Sequence, residues 1–161
     1  VDKFTPKKIK ADLRKFLIPS TINSTLESPA IARVLEELQT VNYRKFPNIS
    51  ADALRSILEG VLKKYFDRIG NSVPKKKGVK FTYLQDVLSH AKKYFNDNNN
   101  QEMKQIIERI EVNKNFLEMI NHNPSVFSTP DNTKDSWDIM QELFIFVFND
   151  IEKINNKKNK L

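Results

Sequence analysis

The sequence predicts an all-α fold, a single helical bundle of about five to seven helices, and three observations predict it. Apolar residues recur at three- and four-residue spacings in segment after segment, and Ser, Pro and Asn fall at the junctions between those segments. Only 3 of the 161 residues are glycine, so few positions call for positive φ. A chain of 161 residues suffices for one core and is short for two independent ones. The longest apolar run is LFIFVF, 143–148, which helical flanks on both sides assign to a helix rather than a strand. It falls far short of the roughly 20 residues a membrane span needs. The opening VDKFTPKKIKADL also lacks a signal peptide's apolar core, so a cytoplasmic protein with no membrane partner is expected.

Thr5-Pro6 places a cap and a first-turn proline before KKIKADLRKFL, where Ile9, Leu13, Phe16 and Leu17 recur at helical spacing. With the connector IPSTINSTLE it makes up residues 1–27, a basic N-terminal helix and linker. Ser28-Pro29 opens the next helix, striped by Ile31, Val34, Leu35, Leu38 and Val41 and ending before Pro47. Ser50 is expected to cap ADALRSILEGVLKKYFDRI, with Leu54, Ile57, Leu58, Val61, Leu62, Tyr65 and Ile69 on one side and Gly70 at its C-terminal end. NSVPKKKGVK reads as a basic loop. Thr82 and Gln85 form a capping-box pattern ahead of a helix with Leu84, Val87, Leu88, Ala91 and Phe95 inward, which DNNN stops. QEMKQIIERIEV follows, with Met103, Ile106, Ile107 and Ile110 inward, and then a separate short piece, NKNFLEMI. Pro124 forces that piece to stop near His122. Asp131 or Thr133 opens the last helix, through Trp137, Met140, Leu143, Phe144, Val147 and Ile151. The bundle is thus expected over 28–152, and 153–161 as a basic tail.

The absence of cysteine removes thiolate nucleophiles and thiolate metal sites, and with only His90 and His122 a histidine-built metal site is poorly supplied. No metal and no cofactor are expected. His90 reads as an ordinary surface or boundary histidine. The net charge of +7 gathers at Lys3, Lys7, Lys8 and Lys10, at Lys75, Lys76, Lys77 and Lys80, and at Lys153, Lys157, Lys158 and Lys160. Such clusters meet phosphate backbones by counterion release. No aromatic residue interleaves with these lysines, so they are expected to lack a platform for stacking bases.

A helical wheel places Arg55 inside the apolar arc of its helix, between Leu62 and Phe66, with Glu59 at the border. A withdrawn guanidinium needs a partner. Glu59 lies one turn on, and the Asn121-His122-Asn123 bend offers carbonyls and amides from elsewhere in the chain. Arg55, Glu59, Asn121, His122 and Asn123 are therefore expected to converge on one polar cluster. The competing reading leaves the histidine and asparagines as a helix terminus only, with Arg55 tying that end to the core.

The stretches PNISADALRSILEGVLKKYF and FLEMINHNPSVFSTPDNTKDSWDIMQELFIFVF carry a further expectation. Together they resemble the HEPN-like helical domains of bacterial defence and DNA-processing proteins, and most of all the helical region that follows ParB-type nuclease domains. The resemblance rests on Arg55 with Glu59, the turn at 121–123 and the inward Trp137, and it covers about 28–152. It implies one module of a longer chain, with which an opening at VDKFTPKK is compatible, and it implies a homodimer. Active HEPN ribonucleases carry an arginine a few residues before the catalytic histidine, whereas here the nearest preceding arginine is Arg109. Arg55 replaces it only if the fold brings it to His122.

The preferred expectation is a non-catalytic module that mediates assembly or nucleic-acid contact in a larger bacterial defence or DNA-processing protein. Its partners would be DNA or RNA, other domains of the same chain, or a partner protein, with Lys75, Lys76, Lys77 and Lys80 on phosphates. The alternative is a metal-independent ribonuclease using His122 with Arg55.

Overall fold

The computed structural model describes residues 14–123 and 125–160, and at 114–116 and 118–122 the backbone alone. Five helices, α1 (Pro29–Thr40), α2 (Pro47–Arg68), α3 (Leu84–Asp97), α4 (Gln101–His122) and α5 (Pro130–Lys158), make up an all-α bundle, with no strand among the described residues. α2 lies at its centre and packs against each of the other four, while α4 bridges α3 and α5. Leu54, Leu58, Val61, Leu62 and Phe66 of α2 are fully buried against residues such as Leu88, Ile107, Trp137 and Phe144. Each such side chain contributes roughly 1.5–3 kcal/mol by leaving water. No described helix is long and apolar enough to cross a membrane.

Proline and side-chain caps together set the helix starts, with Asn100 Oδ1 accepting from Met103 N at 3.1 Å ahead of α4. Ser28 and Thr129 do cap, accepting from Ile31 N and Asn132 N, each ahead of a proline at the first helical position. Thr129 thus replaces the expected Asp131 or Thr133 start. α2, however, begins at Pro47, and Ser50 is buried inside it, its Oγ donating to the Phe46 carbonyl at 2.8 Å. α3 begins at Leu84, after an extended Tyr83 with no side-chain cap, and Gln85 donates to Ser89 Oγ at 3.1 Å instead of reaching back. NKNFLEMI is no separate piece but the continuation of α4, because buried Ile110 and Leu117 keep one helix face on the core through the weak helix formers between them.

Residues 14–17 are not helical; residues 1–13 lie outside the described residues. Phe16 forms an isolated antiparallel bridge with Asn42, and consecutive Leu17 and Ile18 are both buried with Leu26, so the expected linker is part of the core. It is held by the Gln39 amide, which donates to the carbonyls of Pro19 and Ile22 at 3.0 and 2.7 Å, and by Thr25 Oγ1 donating to the Phe148 carbonyl at 2.7 Å. Residues 153–158 of the expected tail belong to α5, and Ile154 packs on the core.

An aromatic seam joins α2, α3 and α5. Tyr65, Phe66, Tyr94, Phe95 and Phe146 meet edge to face at centroid distances of 5.2–6.5 Å. Tyr65 Oη donates to Asp150 at 2.9 Å, and burial, with the Asp150 charge beside it, holds the phenol well above the ordinary tyrosine range.

Candidate nucleic-acid interface

The basic loop runs from the end of α2 to the start of α3 and is anchored at four places. At its start Gly70, with φ +74°, takes the left-handed position that a glycine adopts without strain. Asn71 N then donates to the Phe66 carbonyl at 2.8 Å and Gly70 N to the Asp67 carbonyl at 3.2 Å, the paired bonds of a Schellman ending. His90 Nε2 hydrogen-bonds the Asn71 carbonyl at 2.9 Å, with its ring edge-on to Phe66, so this histidine does sit at the boundary and serves the loop. Lys76 Nζ reaches Asp86 Oδ1 at 2.6 Å. At the far end Lys63, paired with Glu59, donates to the Thr82 carbonyl at 2.9 Å. Between these anchors Val79 N donates to the Lys76 carbonyl at 3.2 Å across a turn whose third residue is Gly78, φ +80°.

The anchors turn the remaining side chains outward. Lys75, Lys77 and Lys80 are exposed and have no carboxylate partner among the described residues. Lys76, predicted with them, is exposed but already paired: its hydrogen bond holds the Asp86 carboxyl below the usual carboxylate range. Phe81 and Tyr83 flank Thr82 and are 68% and 63% exposed, with Lys80 Nζ 5.5 Å from the Phe81 ring centroid. The expectation that the lysines lack stacking rings is corrected here. The rings follow the lysines in the sequence as KFTY, and a pair of aromatics two residues apart directly after a basic run is the signal for them.

Of the predicted polar cluster, the structure describes the side chains of Arg55, Glu59 and Asn123. Glu59 pairs with Lys63 and not with Arg55. Arg55 is half-buried, its Nε enclosed with no hydrogen-bond partner among the described residues, and it borders a shallow cavity with Ser56, Glu59, Gly60 and Lys63. Its place at the edge of the apolar arc lets the long side chain lie along apolar surface toward that cavity, so no charged partner is forced on it. α4 does end at His122, but the side chains of Asn121 and His122 lie outside the described ones. Asn123 is exposed and its Oδ1 accepts from Ser125 N at 3.0 Å. It is the stretch after the bend, into α5, that docks at the start of α2, where Ser128 N donates to Asn48 Oδ1 and Thr133 Oγ1 to the Pro47 carbonyl at 3.2 Å. Asn48 precedes Arg55 by about 10 Å of helix. No group of carboxylates and histidines suited to a metal ion occurs among the described residues.

The fold and loop together define an all-α bundle presenting an anchored basic and aromatic loop. No family model matches the chain, and no curated protein or solved structure matches it.

Proposed function

We propose that the protein is a helical module that contacts nucleic acid through the loop between α2 and α3, without catalysis at that surface, as part of a larger bacterial defence or DNA-processing protein. The observation that carries the contact is three exposed ammonium groups with no carboxylate partner among the described residues, Lys75, Lys77 and Lys80, on a loop pinned at both ends. A pinned loop loses little further conformational entropy when it binds, and ammonium groups free of carboxylates release counterions in full. The larger setting rests on the HEPN-like resemblance alone. Changing Lys75, Lys76, Lys77 and Lys80 together to glutamate should abolish retardation of DNA or RNA in a gel; an unchanged shift defeats the proposal.

Assembly has a separate surface. Phe46, Ile49 and Phe127 are exposed around the Asn48–Ser128 hydrogen bond, at the start of α2. If a second copy covers them, the solution mass is that of a dimer and falls to the monomer's in I49K/F127K. The ribonuclease reading requires RNA cleavage by the unaltered chain that His122→Ala removes.

A further inference from the structure

We infer that the preferred ligand of this loop is a single strand whose unpaired bases stack on Phe81 and Tyr83; this rests on the proposed nucleic-acid contact and names its substrate class. Two large rings standing mostly in water at neighbouring positions are unusual when one residue between them is half-buried and the next, Leu84, is fully buried. The cause is visible in the anchoring: the Thr82 carbonyl is drawn inward to Lys63, and the residues on either side are left facing out. Two positions apart, their Cα atoms are at most about 7 Å from one another, close to twice the roughly 3.4 Å spacing of stacked bases. That separation suits one base between the rings or one base on each.

The charges complete the match. Lys80 sits 5.5 Å from the Phe81 centroid, so a base resting on that ring brings its own phosphate within reach of an ammonium group. Lys75 and Lys77 continue the positive potential along the loop, where the next phosphates of an extended strand would run. A duplex offers the phosphates but not the base faces, which are already stacked on one another, so the rings add nothing to duplex binding. Every base has a π-face, so the stacking is sequence-tolerant, in keeping with a loop that presents lysine and no arginine, asparagine or glutamine between Pro74 and Tyr83 to read base edges.

The test measures binding of labelled oligothymidylate, oligouridylate and a duplex of equal length by fluorescence anisotropy, with the unaltered chain, F81A/Y83A and K75E/K77E/K80E. Both rings are exposed, so F81A/Y83A should keep the native melting temperature. It should lose roughly tenfold or more in single-strand affinity per ring while duplex affinity stays unchanged, and F81W/Y83W should restore single-strand binding. The two single strands report whether the preference is for DNA or RNA. Equal affinity for single strand and duplex, with F81A/Y83A without effect and K75E/K77E/K80E no longer binding, overturns the stacking inference and leaves the phosphate contact standing. No binding to any of the three probes overturns both.

Discussion

If the loop contacts nucleic acid as proposed, replacing Lys75, Lys77 and Lys80 one at a time by glutamine counts the phosphates it meets. These three have no carboxylate partner among the described residues, whereas Lys76 is 2.6 Å from Asp86. For a single strand, log K falls with log salt by about 0.7 for each phosphate neutralised. Three free ammonium groups therefore give a slope of about −2, a loss of roughly a hundredfold in affinity for a tenfold rise in salt. Each glutamine should reduce the slope by about 0.7, and Lys76→Gln by clearly less, because that charge already faces a carboxylate. Asp86→Asn frees Lys76 and should steepen the slope toward about −2.8 and tighten binding. Anisotropy of a labelled oligothymidylate across a salt series reads all of these. A slope near zero, or a Lys76→Gln effect as large as the others with Asp86→Asn inert, refutes the assignment of charges.

Other expectations concern the bundle. Tyr65→Phe removes a partly buried hydrogen bond to a carboxylate and should lower unfolding stability by about 1.5 kcal/mol in a urea titration. Because the folded phenol is held above its ordinary range, its contribution is fully present below about pH 10 and fades above it, where only the unfolded chain gives up the proton. The gap between the unaltered chain and Tyr65→Phe should therefore narrow from about pH 10 upward, by up to roughly 1.4 kcal/mol per pH unit; a gap that widens contradicts the burial. Arg55→Met keeps the stem and removes an enclosed Nε with no hydrogen-bond partner among the described residues, so stability should hold or rise by about 1 kcal/mol. A loss above about 2 kcal/mol would reveal a strong partner for the guanidinium.

The helices were legible because proline and serine punctuate them, and α1 begins where Ser28-Pro29 says it should. Caps inside the sequence were less so. Ser50 follows Pro47 closely enough that the helix has already started when it is reached, and a serine there bonds back to the preceding turn. The pattern through Phe16 and Leu17 looked helical, but adjacent Leu17 and Ile18 both turn inward, which a strap across α1 and α5 permits. The Arg55–Glu59 pair was plausible by spacing, yet Lys63 lies one turn beyond Glu59 in the orientation that favours the helix dipole, and it wins the carboxylate. The loop lysines could be read from composition alone. Which of them is paired could not, since Asp86 sits on the following helix and meets Lys76 only through the fold. The exposure of Phe81 and Tyr83 likewise depends on Lys63, nineteen residues before the carbonyl it holds.

Titration of isotope-labelled protein with a single-stranded oligonucleotide, followed by heteronuclear NMR, tests the loop most directly. Nucleic-acid contact predicts the largest amide shifts at 75–83, with a smaller response at Lys63. Shifts centred instead on the start of α2 and Phe127, or none at all, would contradict it.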